Sequence, residues 1–132
     1  MNSKFLMDEC CFACGIKNAN GLQLNIIANT EGVSAAINLP EWSQGYSSVV
    51  HGGIIATILD EMAVWAALER GYKSVTAELV LRIRNAMKVG QNYTAHAHVV
   101  NTKHRLIQAE SKIVGENQEL IASATVKLLR VK

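Results

Sequence analysis

The sequence predicts an α+β fold in which one long central helix is wrapped by a curved antiparallel sheet of about six strands. Three observations predict it. Residues 44–71, QGYSSVVHGGIIATILDEMAVWAALERG, are apolar at helical spacing and contain no proline. Two short alternating segments precede this stretch, and four longer strand-like runs joined by turn residues follow it. The chain has 132 residues, 49% of them hydrophobic, with a net charge of +2, which suits a single domain spanning residues 1–132 around one core.

The elements follow in chain order. Residues 1–21 read as an N-terminal loop segment. Its opening MNSKFLMDECCFACG lacks the apolar core and cleavage site of a secretory signal, and no apolar run is long enough to span a bilayer, so the chain reads as cytoplasmic with no membrane partner. Residues 22–28 (LQLNIIA) and 33–39 (VSAAINL) alternate and flank the turn signal NTEG, which predicts a hairpin closed by Pro40. The helix is expected from about Gly52 to Arg70, roughly 28 Å long, with Gly71 ending it. Strands are expected at 75–84, 92–101, 105–114 and 119–131, with turns at Gly90, Asn101 to Lys103 and Gly115 to Asn117. Tight turns between successive strands predict a meander.

Ile54, Ile55, Ile58, Leu59, Met62, Val64, Trp65 and Leu68 put apolar groups on nearly every side of the helix. One curled sheet covers only one side of it, so the rest predicts burial against a second copy, at least a homodimer. An outward sheet face rich in Val, Ile and Leu would extend the pairing to a tetramer. The small net charge and the absence of a clustered basic run argue against nucleic acid as the main partner and leave room for a small anionic ligand.

The helix carries Asp60 and Glu61, with no Lys or Arg between His51 and Glu69 to pair with them. An ionised carboxylate on a buried helix is costly unless something compensates it. The neighbours Ala56, Thr57, Ala63 and Val64 are mostly small and leave space beside Asp60, which suggests a ligand. Gly52 and Gly53 open the helix, where unpaired N–H groups and the positive dipole end form an oxyanion-type site that glycine lets a ligand approach. His51 precedes them as a cap or as a group orienting a carbonyl, and Gln44 and Tyr46 add polar groups on the loop. An acid with main-chain donors can perform acyl transfer, the donors polarising a carbonyl while the carboxylate attacks it or deprotonates a water.

Other candidates carry less. Cys10, Cys11 and Cys14 include a C-x-x-C, but this supplies two of the four ligands of a structural zinc and lies outside a βαβ unit, so the cysteines are read as packing residues. His96 and His98 share one strand face without an acid or cysteine at recognisable spacing. No metal is expected, and His104 reads as a surface residue. Arg82, Arg84 and Lys88 read as a solvated strand face, or as contacts to a phosphate.

The segments CFACG…N…GLQL, QGYSSVVHGGIIATILDE, VTAEL and the Val89-Gly90 turn resemble the hotdog-fold acyl-CoA thioesterases of the phenylacetate-pathway type, within the 4-hydroxybenzoyl-CoA thioesterase superfamily. The resemblance implies hydrolysis of an acyl-CoA thioester to acid and CoA, with no cofactor beyond the CoA of the substrate and with sites at a dimer interface. By position it implies Asp60 as catalytic carboxylate, Gly53 as main-chain donor to the thioester carbonyl, His51 as a group that helps place it, Gln44 as a group positioning water or substrate, and Thr76 as a hydroxyl at the start of the next strand. Gly52, Tyr46, Glu61, Arg82 and Arg84 are then candidates for substrate binding. In strict alternation Thr76 shares a face with Glu78 and Arg82, so it reaches the helix only if that strand starts irregularly. Relatives commonly carry Arg-Pro-x-Pro before the Val-Gly turn, where this chain has Asn85-Ala86-Met87-Lys88. Hydratase or dehydratase chemistry is the enzymatic alternative, and a non-catalytic acyl-CoA-binding module the other.

Overall fold

A computed structural model describes residues 8–131, so the first seven residues of the N-terminal segment and Lys132 lie outside the described residues. Its elements are β1 (Ile27–Ala28), β2 (Val33–Ile37), a 3-10 turn (Glu41–Ser43), α1 (Gly52–Glu69), β3 (Ser74–Ile83), β4 (Tyr93–Lys103), β5 (Leu106–Gly115) and β6 (Leu120–Arg130). The strands form one antiparallel sheet in the order β1-β2-β4-β5-β6-β3. Among the described residues no helix is long and apolar enough to cross a membrane.

Helix α1 has a start and a stop written in its sequence. His51 is extended at φ −60, ψ 136, and its Nδ1 accepts the Gly53 N–H, which caps the first turn. At the other end Gly71 takes φ +85, and the N–H groups of Gly71 and Tyr72 donate to the carbonyls of Leu68 and Ala67. This left-handed glycine cap satisfies carbonyls that the helix itself leaves open.

Ile55, Ile58, Leu59, Met62, Ala63, Ala66 and Ala67 form the buried face. They meet a sheet whose centre is built from small residues, with Ala35 opposite Ala95, Ala97 opposite Ser111, and Ser111 opposite Ala124. Short side chains let the helix settle close to the sheet, close enough for Ser111 Oγ to donate to the Leu59 carbonyl at 2.9 Å. That bond fixes α1 against β5 at the residue before Asp60. Irregular registers at Thr76/Glu78, Val99/Asn101 and Ile113/Val114 add the local twist that curls the sheet around the helix. Ile58 is fully buried in this contact, so Ile58→Ala is expected to cost about 2–5 kcal/mol, read as a lower urea midpoint.

The structure corrects three local expectations. The first strand is confined to Ile27–Ala28, because the N–H groups of Leu22 and Leu24 donate to Phe12 and Ala13 of the N-terminal loop and Gln23 has φ +51. The turn after β4 lies at His104-Arg105 rather than at Asn101 to Lys103, with His104 at φ +57. The four long strands are not one meander. β4, β5 and β6 follow one another, but β3 lies at the far edge beside β6, and β4 pairs with β2. Residues 84–92 make the crossing. They pass the helix start, where Val50 N–H donates to the Met87 carbonyl and the Met87 side chain fills the core.

The other side of α1 is open by comparison. Ile54, Ala56, Thr57, Asp60, Glu61, Val64, Trp65 and Leu68 are half-buried, and Gly53 is exposed. This chain wraps one side of the helix, as expected of a single sheet.

Candidate active site

Asp60 projects from the middle of that open side. Among the described residues its one side-chain hydrogen bond is from Thr76 Oγ1 to Oδ1 at 2.5 Å, which leaves Oδ2 open, and no Lys or Arg forms an ion pair with it. Thr76 reaches the helix because β3 starts irregularly. Thr76 is paired with Leu128, a buried inward residue, while Glu78 is paired with Lys127, and the register shift leaves Ala77 as the extra residue between them. The bulge puts Thr76 on the inner face and returns Glu78 to the outer one.

The loop before α1 is tightly folded. Gln44 bridges to Val50, Gly45 N–H donates to the Val49 carbonyl, and Gln44 Oε1 accepts the Ser48 N–H at 2.9 Å while Ser48 sits at φ +65. This reversal lays the His51 imidazole over Gly45, where an added Cβ would stand 3.2 Å from Cδ2. A Cβ at Gly53 would likewise stand 3.2 Å from Nδ1, so both glycines make room for the ring. Because Nδ1 accepts from Gly53 at 2.9 Å, a neutral His51 carries its proton on Nε2. The helix start therefore presents an imidazole N–H, while the N–H groups of Gly53, Ile54 and Ile55 donate to His51 itself.

The structure brings some expected residues together and separates others. Asp60 and Thr76 are in contact, and His51 with Gly53 forms a second cluster at the helix start. Gln44 uses its carbonyl oxygen within its own loop, and Tyr46 is 88% exposed. Gly52 stands beside Ile83, with 3.5 Å between an added Cβ and Cδ1. The Glu61 carboxylate is engaged by other groups than Asp60 is, with Oε2 accepting from Trp65 Nε1 at 3.0 Å and from Cys11 Sγ of the N-terminal loop at 3.6 Å. Arg82 is paired with Ser123 on the outer sheet face, and Arg84 follows β3 with its N–H on the Ile121 carbonyl. A depression of about 490 Å³ on that outer face is lined by Arg82, His96, His98, Glu110 and Lys112 and is separated from Asp60 by the sheet. Of the candidate residues it holds only Arg82. His98 does find an acid there, with Nε2 at 3.7 Å from Glu110 Oε1 across the strand pair.

The sequence profile of the thioesterase superfamily matches residues 47–122, a span that holds His51, Gly53, Asp60 and Thr76. The chain belongs to the thioesterase superfamily. Its helix and curled six-stranded sheet are the hotdog fold of solved members. A thioesterase superfamily protein superposes with a TM-score of 0.85 at 21% identity, over 89% of this chain and 61% of that one, so this chain spans less than two thirds of its length. The E. coli PaaI protein from the phenylacetic acid degradation operon gives 0.77 at 21% identity, over 83% of this chain and 84% of PaaI. A hypothetical thioesterase from Streptococcus pneumoniae, solved with coenzyme A, gives 0.77 at 18% identity, over 82% and 88% of the two chains. Further structures of that protein carry alanine in place of one aspartate or of one threonine. A comparison with curated proteins finds no match.

The sequence alone missed two arrangements. One is the Ser111 contact to the helix, for which the only signal is a lone polar residue at an inward position of β5. The other is the grouping of Glu61 and Trp65 with the cysteines, signalled only by the i, i+4 spacing of the first two.

Proposed function

We propose that the protein hydrolyses acyl-CoA thioesters to a free acid and CoA, with Asp60 as the catalytic carboxylate. The observation that carries this is the Asp60 carboxylate on the open side of α1, oriented through Oδ1 by Thr76 and open at Oδ2. The two positions replaced in the S. pneumoniae protein are an aspartate and a threonine 16 residues apart, which is the separation of Asp60 and Thr76. That protein was solved with coenzyme A, which supports a CoA ester as the substrate class.

In this reading the thioester carbonyl lies at a helix start, polarised by the Gly53 N–H and placed with the help of His51. The Gly53 N–H is held by His51 Nδ1, so it reaches a carbonyl when the exposed imidazole turns aside, exchanging one acceptor for another. Asp60 then attacks the thioester carbon or removes a proton from the attacking water. Both routes break the C–S bond, release CoA as the thiol and add the elements of water to the acyl group. Both require an ionised carboxylate. No metal or redox group enters the step.

One helix cannot supply both halves. Gly53 and Asp60 are seven positions apart, about 10 Å along the axis. The half-buried side of α1 that carries Asp60, Val64 and Trp65 suits burial against the same side of a second copy. Two antiparallel helices about a two-fold axis bring the start of one level with the middle of the other, so each site takes Asp60 from one chain and His51 with Gly53 from its mate. Exposed Val80 on the outer sheet face would support pairing of such dimers into tetramers.

Thr76→Val removes the hydroxyl and keeps the shape. Because a hydrogen bond to a charged group contributes about 1.5–3 kcal/mol, kcat is expected to fall about tenfold or more with little change in KM. The reading itself is tested by mass analysis of products from saturated and 2-enoyl-CoA substrates. Free acid with CoA supports hydrolysis. A hydrated acyl-CoA with its thioester intact would instead mean hydratase chemistry, and saturable binding with unchanged ligand a binding module.

A further inference from the structure

The N-terminal loop brings its C-x-x-C against Glu61. Cys11 Sγ, Cys14 Sγ and a Glu61 carboxylate oxygen all lie within 4.8 Å of one another, and all three residues are half-buried. The loop that does this is closely made. Cys11 N–H donates to the Asp8 carbonyl, Gly15 N–H to the Cys11 carbonyl, and Lys17 N–H to the Glu9 carbonyl. Gly15 is required by space, since an added Cβ would stand 2.3 Å from Glu9 O and 2.4 Å from Cys11 N. Glu61 is held from the helix side by Trp65 Nε1 at 3.0 Å.

We propose that Cys11, Cys14 and Glu61 form a binding site for a thiophilic divalent cation of the zinc type, which fastens the N-terminal loop to α1 beside Asp60. Two thiolates and one carboxylate are ligands that zinc takes, and a C-x-x-C supplies two of them from one turn. The spacing fits. With Zn–S near 2.3 Å and Zn–O near 2.0 Å, a tetrahedral angle places sulfur and oxygen about 3.5 Å apart. Cys11 Sγ and Glu61 Oε2 are 3.6 Å apart. Trp65 supplies the outer hydrogen bond that orients a carboxylate ligand. Two protein thiolates and one carboxylate leave a fourth position for water.

Charge argues the same way. Among the described residues none of the ion pairs includes Glu61, so no side-chain cation neutralises this half-buried carboxylate. None of the cysteines is in a disulfide. The expectation that the cysteines only pack stood on a count of two ligands. The third arrives from 50 residues away in the sequence.

The test uses the full chain, reduced, stripped with a chelator and titrated with cobalt(II) and then zinc. The expected result is a thiolate-to-cobalt charge-transfer band saturating at about one equivalent per chain, bleached by a similar amount of zinc, with a higher Tm for the zinc form. Cys11→Ser and Cys14→Ser should lose the band, and Glu61→Gln should weaken binding by about tenfold or more. Cys10, exposed and outside the cluster, is the control, and Cys10→Ser should bind as the wild type does. A wild-type chain that shows no thiolate band overturns the site whatever the variants do. So does cobalt binding that survives loss of Cys14. Neither result touches the proposed hydrolysis, which is read by CoA release.

Discussion

Asp60→Asn is expected to lower kcat on the best acyl-CoA substrate by about a hundredfold or more, while the circular dichroism spectrum and Tm stay close to wild type. The replacement keeps the shape of the side chain, and the Asn carbonyl oxygen can still accept the Thr76 hydroxyl that Asp60 Oδ1 accepts now. Asp60 lies outside the fully buried face of α1, so no core contact is lost. What disappears is the charge. A neutral amide neither attacks a thioester carbon nor takes a proton from water, and a loss of about a hundredfold corresponds to about 2.7 kcal/mol of transition-state stabilisation. Glu61→Gln should reduce kcat less, because the Glu61 carboxylate is taken up by Cys11 and Trp65. If the order of the two effects is reversed, the catalytic carboxylate is Glu61.

Recovery of activity from two dead variants is the second large effect expected. Gly53→Pro removes the main-chain donor at a first-turn position where proline is tolerated, and Asp60→Asn removes the carboxylate. Each alone should be inactive. When the two are unfolded and refolded together, roughly half of randomly formed dimers are hybrids, and each hybrid holds one doubly damaged and one intact site. Roughly a quarter of wild-type activity should return, and it should scale with the hybrid fraction. A mixture that refolds and exchanges subunits but stays inactive would place Asp60 and its donors within one chain.

The parts of this protein that depend on local pattern were legible in its sequence. Helix α1 was read to within a residue or so, because a continuous apolar stretch, two opening glycines and a closing Gly71 are all local signals. The four long strands were found for the same reason, with ends displaced by one or two residues. Pairing was less legible. Nothing in the alternation of residues 75–84 says that β3 sits beside β6 rather than β4. That order depends on residues 84–92 crossing the helix start with Met87 buried beneath them.

The same division runs through the site. Asp60 stood out because an acid without a cationic neighbour on an apolar helix needs an explanation. Its hydrogen bond to Thr76 was conditional on an irregular strand start, and pattern alone cannot supply a bulge. The Gly53 N–H was expected to face substrate, whereas His51 Nδ1 occupies it as a cap, a contact set by the folded loop at residues 44–51. The cysteines gave least of all. Their partner Glu61 is distant in sequence, and only the packing of the loop on α1 brings a carboxylate to the C-x-x-C.

The central claim, that this chain uses Asp60 to hydrolyse CoA thioesters, is tested most directly by a free-thiol assay of the purified protein against a panel of short-chain, long-chain and aromatic acyl-CoAs. CoA release is expected with at least one member of the panel, saturating in substrate, matched by an equal amount of free acid, and lost in Asp60→Asn. A well-folded protein that binds these esters and releases no CoA from any of them, or an Asp60→Asn variant that releases it at the wild-type rate, would contradict it.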